Sequence, residues 1–382
     1  MRPLTTVVTF THNFPMKDET DALMPYRRLP GKLAAAVWST RLGKWTTIYA
    51  TSTTAAAAGL AIGASWRLGV LALILLVLIG IALLLTYLVE QYGYPFLELA
   101  SSASLRWLRG RDYRLTRSVH DLLYGLGAEL PLILFLVVVA MGAVWLFLGV
   151  IEDVVSGDPL VIVDQKVFQL LQSLRSPAAD ALLVAMTELG DRAVIVPVVI
   201  LASAALLLIR RWWAALYVVV AAISSTLFVH GMKRILHRPR PLHIYDGISE
   251  FSFPSGHATS SIAVYGFLVF LLTRSAAPQL RWALISITLS LIMLIAFSRL
   301  YLGAHWLSDV GAGLAFNTAL IAVLAVLYLR QNQEPLPSSI LATLLALTVI
   351  IAATWHIRQS YNSDRARYAP PIVMPSNGVR SP

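Results

Sequence analysis

Cysteine is absent from this chain of 382 residues. That excludes disulfide staples, thiolate metal sites and a thiol nucleophile. Charge is also scarce, since only 13% of residues are Asp, Glu, Lys or Arg, whereas ordinary globular domains carry about a quarter. With 57% hydrophobic residues and a mean hydropathy of +0.71, the surplus apolar surface must face lipid. Acidic residues are the scarcer sign, 20 against 30 Lys and Arg, for a net charge of +10. This basic excess does not signal nucleic acid, because most Lys and Arg lie between apolar runs, where the positive-inside rule puts them. No signal peptide is evident: the N-terminal segment is polar and carries Lys17, Arg27, Arg28, Lys32, Arg41 and Lys44.

What the chain has in abundance is uninterrupted hydrophobic sequence. Its apolar runs, about twenty residues each, suffice to cross roughly 30 Å of hydrocarbon. They are continuous rather than alternating, which indicates helices and not barrel strands. The spans read as residues 45–64 (weak, rich in Ala and Thr), 68–89, 130–151, 178–209, 214–229, 258–272, 282–297, 306–328 and 340–355. The fourth has a polar end at Glu188, Gly190, Asp191 and Arg192. The fold class is therefore all-α: a multi-pass transmembrane helical bundle, with a six-helix core and additional N- and C-terminal helices.

Residues 1–127 read as a polar segment, a helical hairpin and an Arg-rich connector holding Arg106, Arg109, Arg111, Arg114 and Arg117. That connector suits an interfacial helix or a solvated cytoplasmic link. Residues 128–331 form the core, and residues 158–175 within it read as an amphipathic interfacial helix. Residues 332–382 supply a last span and, after His356, a tail without periodicity that reads as disordered.

Three polar blocks interrupt the core. The first runs from Lys233 to Arg240 and Pro241, the second is Phe253-Pro254-Ser255-Gly256-His257, and the third runs from Ser298 and Arg299 to His305 and Asp309. Counting spans puts all three at the outer face, so they converge on one interfacial pocket. Lys233, Arg240 and Arg299 offer cations and N–H donors that match phosphate oxygens. Pro-Ser-Gly-His opens a helix, where Gly256 permits close backbone approach and the free N–H groups make an anion site. His257 then stands within reach for proton transfer. His305 and Asp309 are four apart at a helix start and share a face. The carboxylate can hold one ring nitrogen protonated and leave the other to attack phosphorus. Two histidines and three cations supply nucleophile, acid and clamp, so neither metal nor cofactor is expected.

Other polar residues have plainer readings. Arg67, Arg192 and Arg330 read as membrane-edge anchors, His120, His230 and His356 as structural, and Glu188 and Asp191 as a polar helix end, with help to the site as the second reading. Tryptophans at span ends fit an aromatic belt, with Trp306 the exception. Gly311 and Gly313 read as helix-packing positions.

The three blocks resemble the signature of the type-2 phosphatidic acid phosphatase superfamily: Lys, six residues, Arg-Pro; Pro-Ser-Gly-His; Ser-Arg, five residues, His, three residues, Asp. No signature position departs from it, and the spacing from Lys233 selects Arg240-Pro241 over Arg238-Pro239. The resemblance implies a phosphohistidine on His305 activated by Asp309, with His257 protonating the leaving oxygen. It implies that Lys233, Arg240, Ser255, Gly256 and Arg299 hold the phosphate. The expected substrate is a lipid phosphate or diphosphate such as undecaprenyl diphosphate, hydrolysed in the plasma (inner) membrane at a site facing the periplasm or cell exterior. A homo-oligomer is allowed but required by no motif. Two alternatives stand beside this reading. A lipid phosphotransferase would use the same phosphohistidine with a lipid acceptor, and a non-enzymatic lipid-binding transporter or scaffold would be indifferent to loss of His305.

Overall fold

The computed structural model describes residues 66–88, 129–157, 159–245, 247–331 and 336–369, with scattered positions between 91 and 103. The stretch 45–64 and most of the Arg-rich connector lie outside the described residues. Among the described residues the chain is helical, without strands. In order, the helices are α1 (Trp66–Leu88), α2 (Leu130–Ser156), α3 (Pro159–Ser173), α4 (Pro177–Glu188) and α5 (Arg192–Leu208). They continue with α6 (Trp212–Leu236), α7 (Gly256–Thr273), α8 (Pro278–Tyr301), α9 (Leu307–Leu329) and α10 (Ser338–Arg367).

Local chemistry sets the ends of these helices. Pro131 begins α2 at a position whose N–H has no helical acceptor anyway. Gly157, at φ +79°, closes α2 by returning its N–H to the Asp153 carbonyl at 3.0 Å. Ser176 caps α4, and Asp191 caps α5 by accepting the Ala193 N–H at 2.8 Å. The 178–209 stretch is thus two helices in one crossing, divided at Leu189–Asp191. Inside α7, residues Ile262–Gly266 form a π-helical turn.

Eight stretches are long and apolar enough to cross a membrane: α1, α2, α4 with α5, α6, α7, α8, α9 and α10. About half of α7 and of α9 is buried against neighbours, but only about a tenth of α2 and α10, so the first two form the centre. The largest core cluster joins Val198 and Leu206 of α5, Val218 of α6, Phe267 and Leu271 of α7 and Ile295 of α8. A second cluster joins Leu71 of α1 to Leu183 of α4 and Phe297 and Tyr301 of α8. Outward-facing Met141, Trp145, Leu208, Leu227, Ile287, Ile351 and Trp355 are exposed, which is stable only where the surrounding solvent is hydrocarbon. The protein is a multi-pass membrane helical bundle.

One boundary corrects the sequence reading. A disordered tail after His356 does not describe this end of the chain, because α10 continues to Arg367. Tertiary contacts hold its last turns: Arg175 donates to the Tyr368 carbonyl at 2.5 Å, and Asp364 and Tyr368 are buried. Residues 370–382 lie outside the described residues.

Candidate active site

The C-terminal end of α6, the 237–255 loop, the start of α7, the end of α8 and the start of α9 meet at one end of the bundle. They enclose a cavity of about 700 Å³ whose lining includes Lys233, Arg240, Gly256, His257, Arg299 and His305. The three sequence blocks therefore do share one site. Ser255 and Asp309 stand just behind that lining, both fully buried.

His305 lies in the turn between α8 and α9 and is 3% exposed. Its Nε2 is 2.9 Å from Arg240 Nη1, and its Nδ1 is 3.5 Å from Asp309 Oδ2. A guanidinium only donates, so Nε2 carries the lone pair and the ring proton of the neutral tautomer sits on Nδ1, toward Asp309. Burial, with Arg240, Arg299 and Lys233 nearby, holds the His305 imidazole well below its usual range, so it is neutral at physiological pH. The Nε2 lone pair is thus presented where the cations converge.

Each cation is tethered by groups that leave its charge unneutralised. Arg240 donates from Nε to the Ser249 carbonyl at 2.8 Å and from Nη1 to the Ala304 carbonyl at 2.5 Å. Burial, then Arg299, lowers Arg240 to about 10, still charged at neutral pH. The Lys233 ammonium donates to the Phe251 carbonyl. Arg299, 1% exposed, donates from Nη1 to Thr187 Oγ1 and Tyr368 Oη, both at 2.8 Å, and from Nη2 to Tyr245 Oη at 3.1 Å. Its Nε is buried without a hydrogen-bond partner, as is Ser255 Oγ just behind the lining. Buried polar atoms are rarely left so. The first-turn N–H groups of α7 add donors that no helical carbonyl uses. A Cβ on Gly256 would meet only Val229, at 3.7 Å. Packing against protein therefore does not demand glycine there, whereas close approach by a ligand would.

Behind Asp309 lies a clamp that sequence reasoning missed. Arg238 forks between two fully buried carboxylates, Asp309 Oδ1 at 2.6 Å and Asp164 Oδ2 at 2.7 Å. Asp164, from α3, also accepts the Ser308 N–H at 2.9 Å and fastens the start of α9. The second Asp309 oxygen accepts the Trp306 N–H at 2.8 Å. Trp306 itself does not line the cavity. Its indole N–H donates to the Pro239 carbonyl at 2.9 Å, and its ring lies under Arg238.

On the opposite wall, His257 Nε2 is 3.6 Å from Asp191 Oδ2. Asp191 and Glu188 are not merely a polar helix end: both line the cavity, and His356 stands 2.9 Å from Glu188. His230 pairs with Arg192 at 2.7 Å and also lines the cavity, whereas His237 packs its ring on Phe251. Gly313 is a packing position as expected, since a Cβ there would come within 2.2 Å of Thr259 Oγ1; at Gly311 the space is open. The cavity has an apolar arm bounded by Val196 and Ile200 of α5 and Ile223 and Leu227 of α6, all of them exposed.

Residues 214–334 match the PAP2 superfamily. Over 119 residues the chain is 34% identical to a lipid A 1-phosphatase of Rhizobium etli, covering 28% of this chain and 47% of that protein. The chain thus spans about half the length of that relative. It is 25% identical over 173 residues to an undecaprenyl-diphosphatase of Sulfolobus acidocaldarius, covering 44% of this chain and 80% of that one. Among solved structures, a transmembrane PAP2 type phosphatidylglycerolphosphate phosphatase from Bacillus subtilis aligns with a TM-score of 0.45 at 22% identity, covering 50% of this chain and 98% of that chain.

Proposed function

We propose that this chain, which carries a PAP2 superfamily domain, is an integral membrane phosphatase that hydrolyses a lipid phosphate or diphosphate through a phosphohistidine on His305. The observation that carries this reading is the placement of the His305 ring, with Nε2 at 2.9 Å from Arg240 and Nδ1 at 3.5 Å from Asp309. An incoming phosphate takes over the Arg240 contact and is further held by Lys233, Arg299, Ser255 and the α7 N-terminal N–H groups, including that of Gly256. Nε2 then attacks phosphorus. The P–N bond forms as the P–O bond to the lipid breaks, and Asp309 steadies the developing imidazolium. His257 protonates the departing oxygen. In the second half, His257 takes a proton from water as the water oxygen attacks phosphorus; the P–N bond breaks and inorganic phosphate leaves. The buried cations stabilise charge on the equatorial oxygens in both halves.

The apolar arm between α5 and α6 suits a substrate whose tail remains in the bilayer. The relatives' names share only the chemistry of a lipid-borne phosphate, which is the substrate class proposed here. Arg210, Arg211, Arg274, Arg281 and Arg330 all lie at the helix ends opposite the cavity. By the positive-inside rule these five support a site facing away from the cytoplasm, against the opposing pull of Arg365 and Arg367 at the cavity-side end of α10.

The test is phosphate release by the purified protein in detergent with EDTA, from undecaprenyl diphosphate, phosphatidate and phosphatidylglycerol phosphate, beside His305→Ala. Release that vanishes in the variant is the expected result. Release unaffected by His305→Ala would remove the nucleophile. Phosphate appearing on an added acceptor lipid instead of in solution would make the protein a phosphotransferase.

A further inference from the structure

The C-terminal helix α10 lies beyond the segment that matches the PAP2 superfamily. Even so, His356, Asp364 and Arg367 of α10, with Tyr368 just past its end, line the cavity. His356 Nε2 is 2.9 Å from Glu188 Oε2 and 3.6 Å from Asp191 Oδ1. The other Asp191 oxygen is 3.6 Å from His257 Nε2. Asp191 therefore stands between two imidazoles, one from α7 and one from α10.

Two further observations show that this arrangement is built. Glu188 is 3% exposed, and a carboxylate so placed needs a donor; the His356 ring stands at hydrogen-bond distance. The turn that carries Asp191 is pressed against α7 and α8, because a Cβ on Gly190 would lie 2.7 Å from Ile295 Cγ2 and 3.3 Å from His257 Cβ. A larger residue at position 190 would have to push these side chains aside. The end of α10 is fixed as well, by Arg175 on the Tyr368 carbonyl at 2.5 Å and by Arg299 on the Tyr368 hydroxyl at 2.8 Å.

We infer that His356 is a positioning residue for acid–base catalysis by His257, acting through Asp191, and that α10 is consequently a working wall of the active site and not only a membrane anchor. The inference rests on the phosphohistidine reading above. Asp191 can hold one ring nitrogen of His257 and leave the other for the leaving oxygen, while His356, braced on Glu188, keeps Asp191 turned toward α7. The chemistry gives this role its own signature. An aliphatic alkoxide leaves only if a proton reaches its oxygen as the P–O bond breaks, whereas a nitrophenolate leaves without one. A fault in positioning His257 therefore falls on aliphatic substrates, and a general loss of structure falls on both.

The experiment compares kcat/KM for phosphatidate and for p-nitrophenyl phosphate in the full-length protein, since kcat/KM reports the step in which the leaving oxygen departs. His356→Gln is expected to lower the phosphatidate value about tenfold, a size typical of lost outer-shell support, and the aryl value by less than about twofold. Asp191→Asn should show the same asymmetry, and the double variant should be no worse than Asp191→Asn alone, because both act along one chain of contacts. Equal losses on the two substrates, or no loss on either, would overturn the inference while leaving the phosphatase reading intact, provided that His305→Ala abolishes turnover. If His356→Gln does not fold, His356→Asn and Asp191→Asn carry the same comparison. If the unaltered protein releases no phosphate from these substrates, from undecaprenyl diphosphate or from phosphatidylglycerol phosphate, the phosphatase reading fails and this inference fails with it.

Discussion

Replacing Arg238 by leucine should cost more stability than any other single change at the polar end of the bundle. The guanidinium is the one group that both Asp164 and Asp309 contact through carboxylate oxygens, at 2.7 and 2.6 Å, and both carboxylate side chains are 0% exposed. Removing it leaves two buried carboxylates without the guanidinium they share, held only by the Trp306 and Ser308 donors. Breaking one buried ion pair from one side costs about 3–5 kcal/mol, and here two carboxylates are stranded together. A loss of about 4 kcal/mol should lower Tm in detergent by on the order of 10 °C. Turnover should fall too, because Asp309 would lose the partner that fixes its orientation behind His305. Arg240→Leu provides the contrast. Its protein partners are carbonyl oxygens and the His305 ring, so its stability cost should be only about 1–2 kcal/mol and its main effect a fall in kcat and kcat/KM. Thermal melts and phosphate-release kinetics on the two variants separate the roles. Adding Asp164→Asn to Arg238→Leu should recover part of the lost stability, since neighbours in one network are not additive. If Arg238→Leu melts with the unaltered protein and keeps its kcat, the clamp assigned to Arg238 is wrong.

Three other outcomes are expected. His305 must be neutral to attack, and burial among cations holds its imidazole well below the usual range. The neutral fraction therefore stays complete as pH falls through the ordinary imidazole region and is lost only well below it. A profile of kcat/KM on an aryl phosphate, corrected for the substrate's own ionisation, should show no acid limb at about pH 6.5; such a limb, persisting in a His257 variant, would contradict the assignment. Tyr368→Phe should lower kcat/KM about fivefold, because one of the hydroxyls fixing Arg299 is lost at a cost of about 1 kcal/mol. Gly313→Ala should lower stability by about 1–3 kcal/mol, read as a drop in Tm, because its Cβ meets Thr259 Oγ1, which is itself tied to the Ser255 carbonyl at 2.5 Å. Thr259→Ala should restore much of that loss.

The parts of this protein legible in its sequence are those whose signal is local. Continuous apolar runs marked the spans from α1 to α10, and motif spacing marked Lys233, Arg240, His257, Arg299, His305 and Asp309, which do line or back one cavity. What stayed hidden depends on side chains meeting across long separations. Asp164 is one acid on an amphipathic helix, and nothing near it announces a partner 74 residues away at Arg238. Arg238 itself was passed over because the spacing favoured Arg240, and only the fold reveals that adjacent Arg-Pro pairs turn to opposite sides of His305. The end of α10 read as disordered because its sequence lacks periodicity. Its helix persists through contacts with Arg175 and Arg299, more than sixty residues distant. Asp191 carried a hint, since a glycine immediately before a capping aspartate invites the question of what approaches so closely.

The apolar arm between α5 and α6 has a kinetic consequence. A substrate that reaches His305 along that arm arrives by lateral diffusion in two dimensions, and its product departs the same way. The quantity that saturates such a catalyst is the surface fraction of phosphorylated lipid, not its bulk molarity. Diluting substrate with inert lipid at constant total substrate should therefore slow the reaction, and diluting the vesicles in buffer should not.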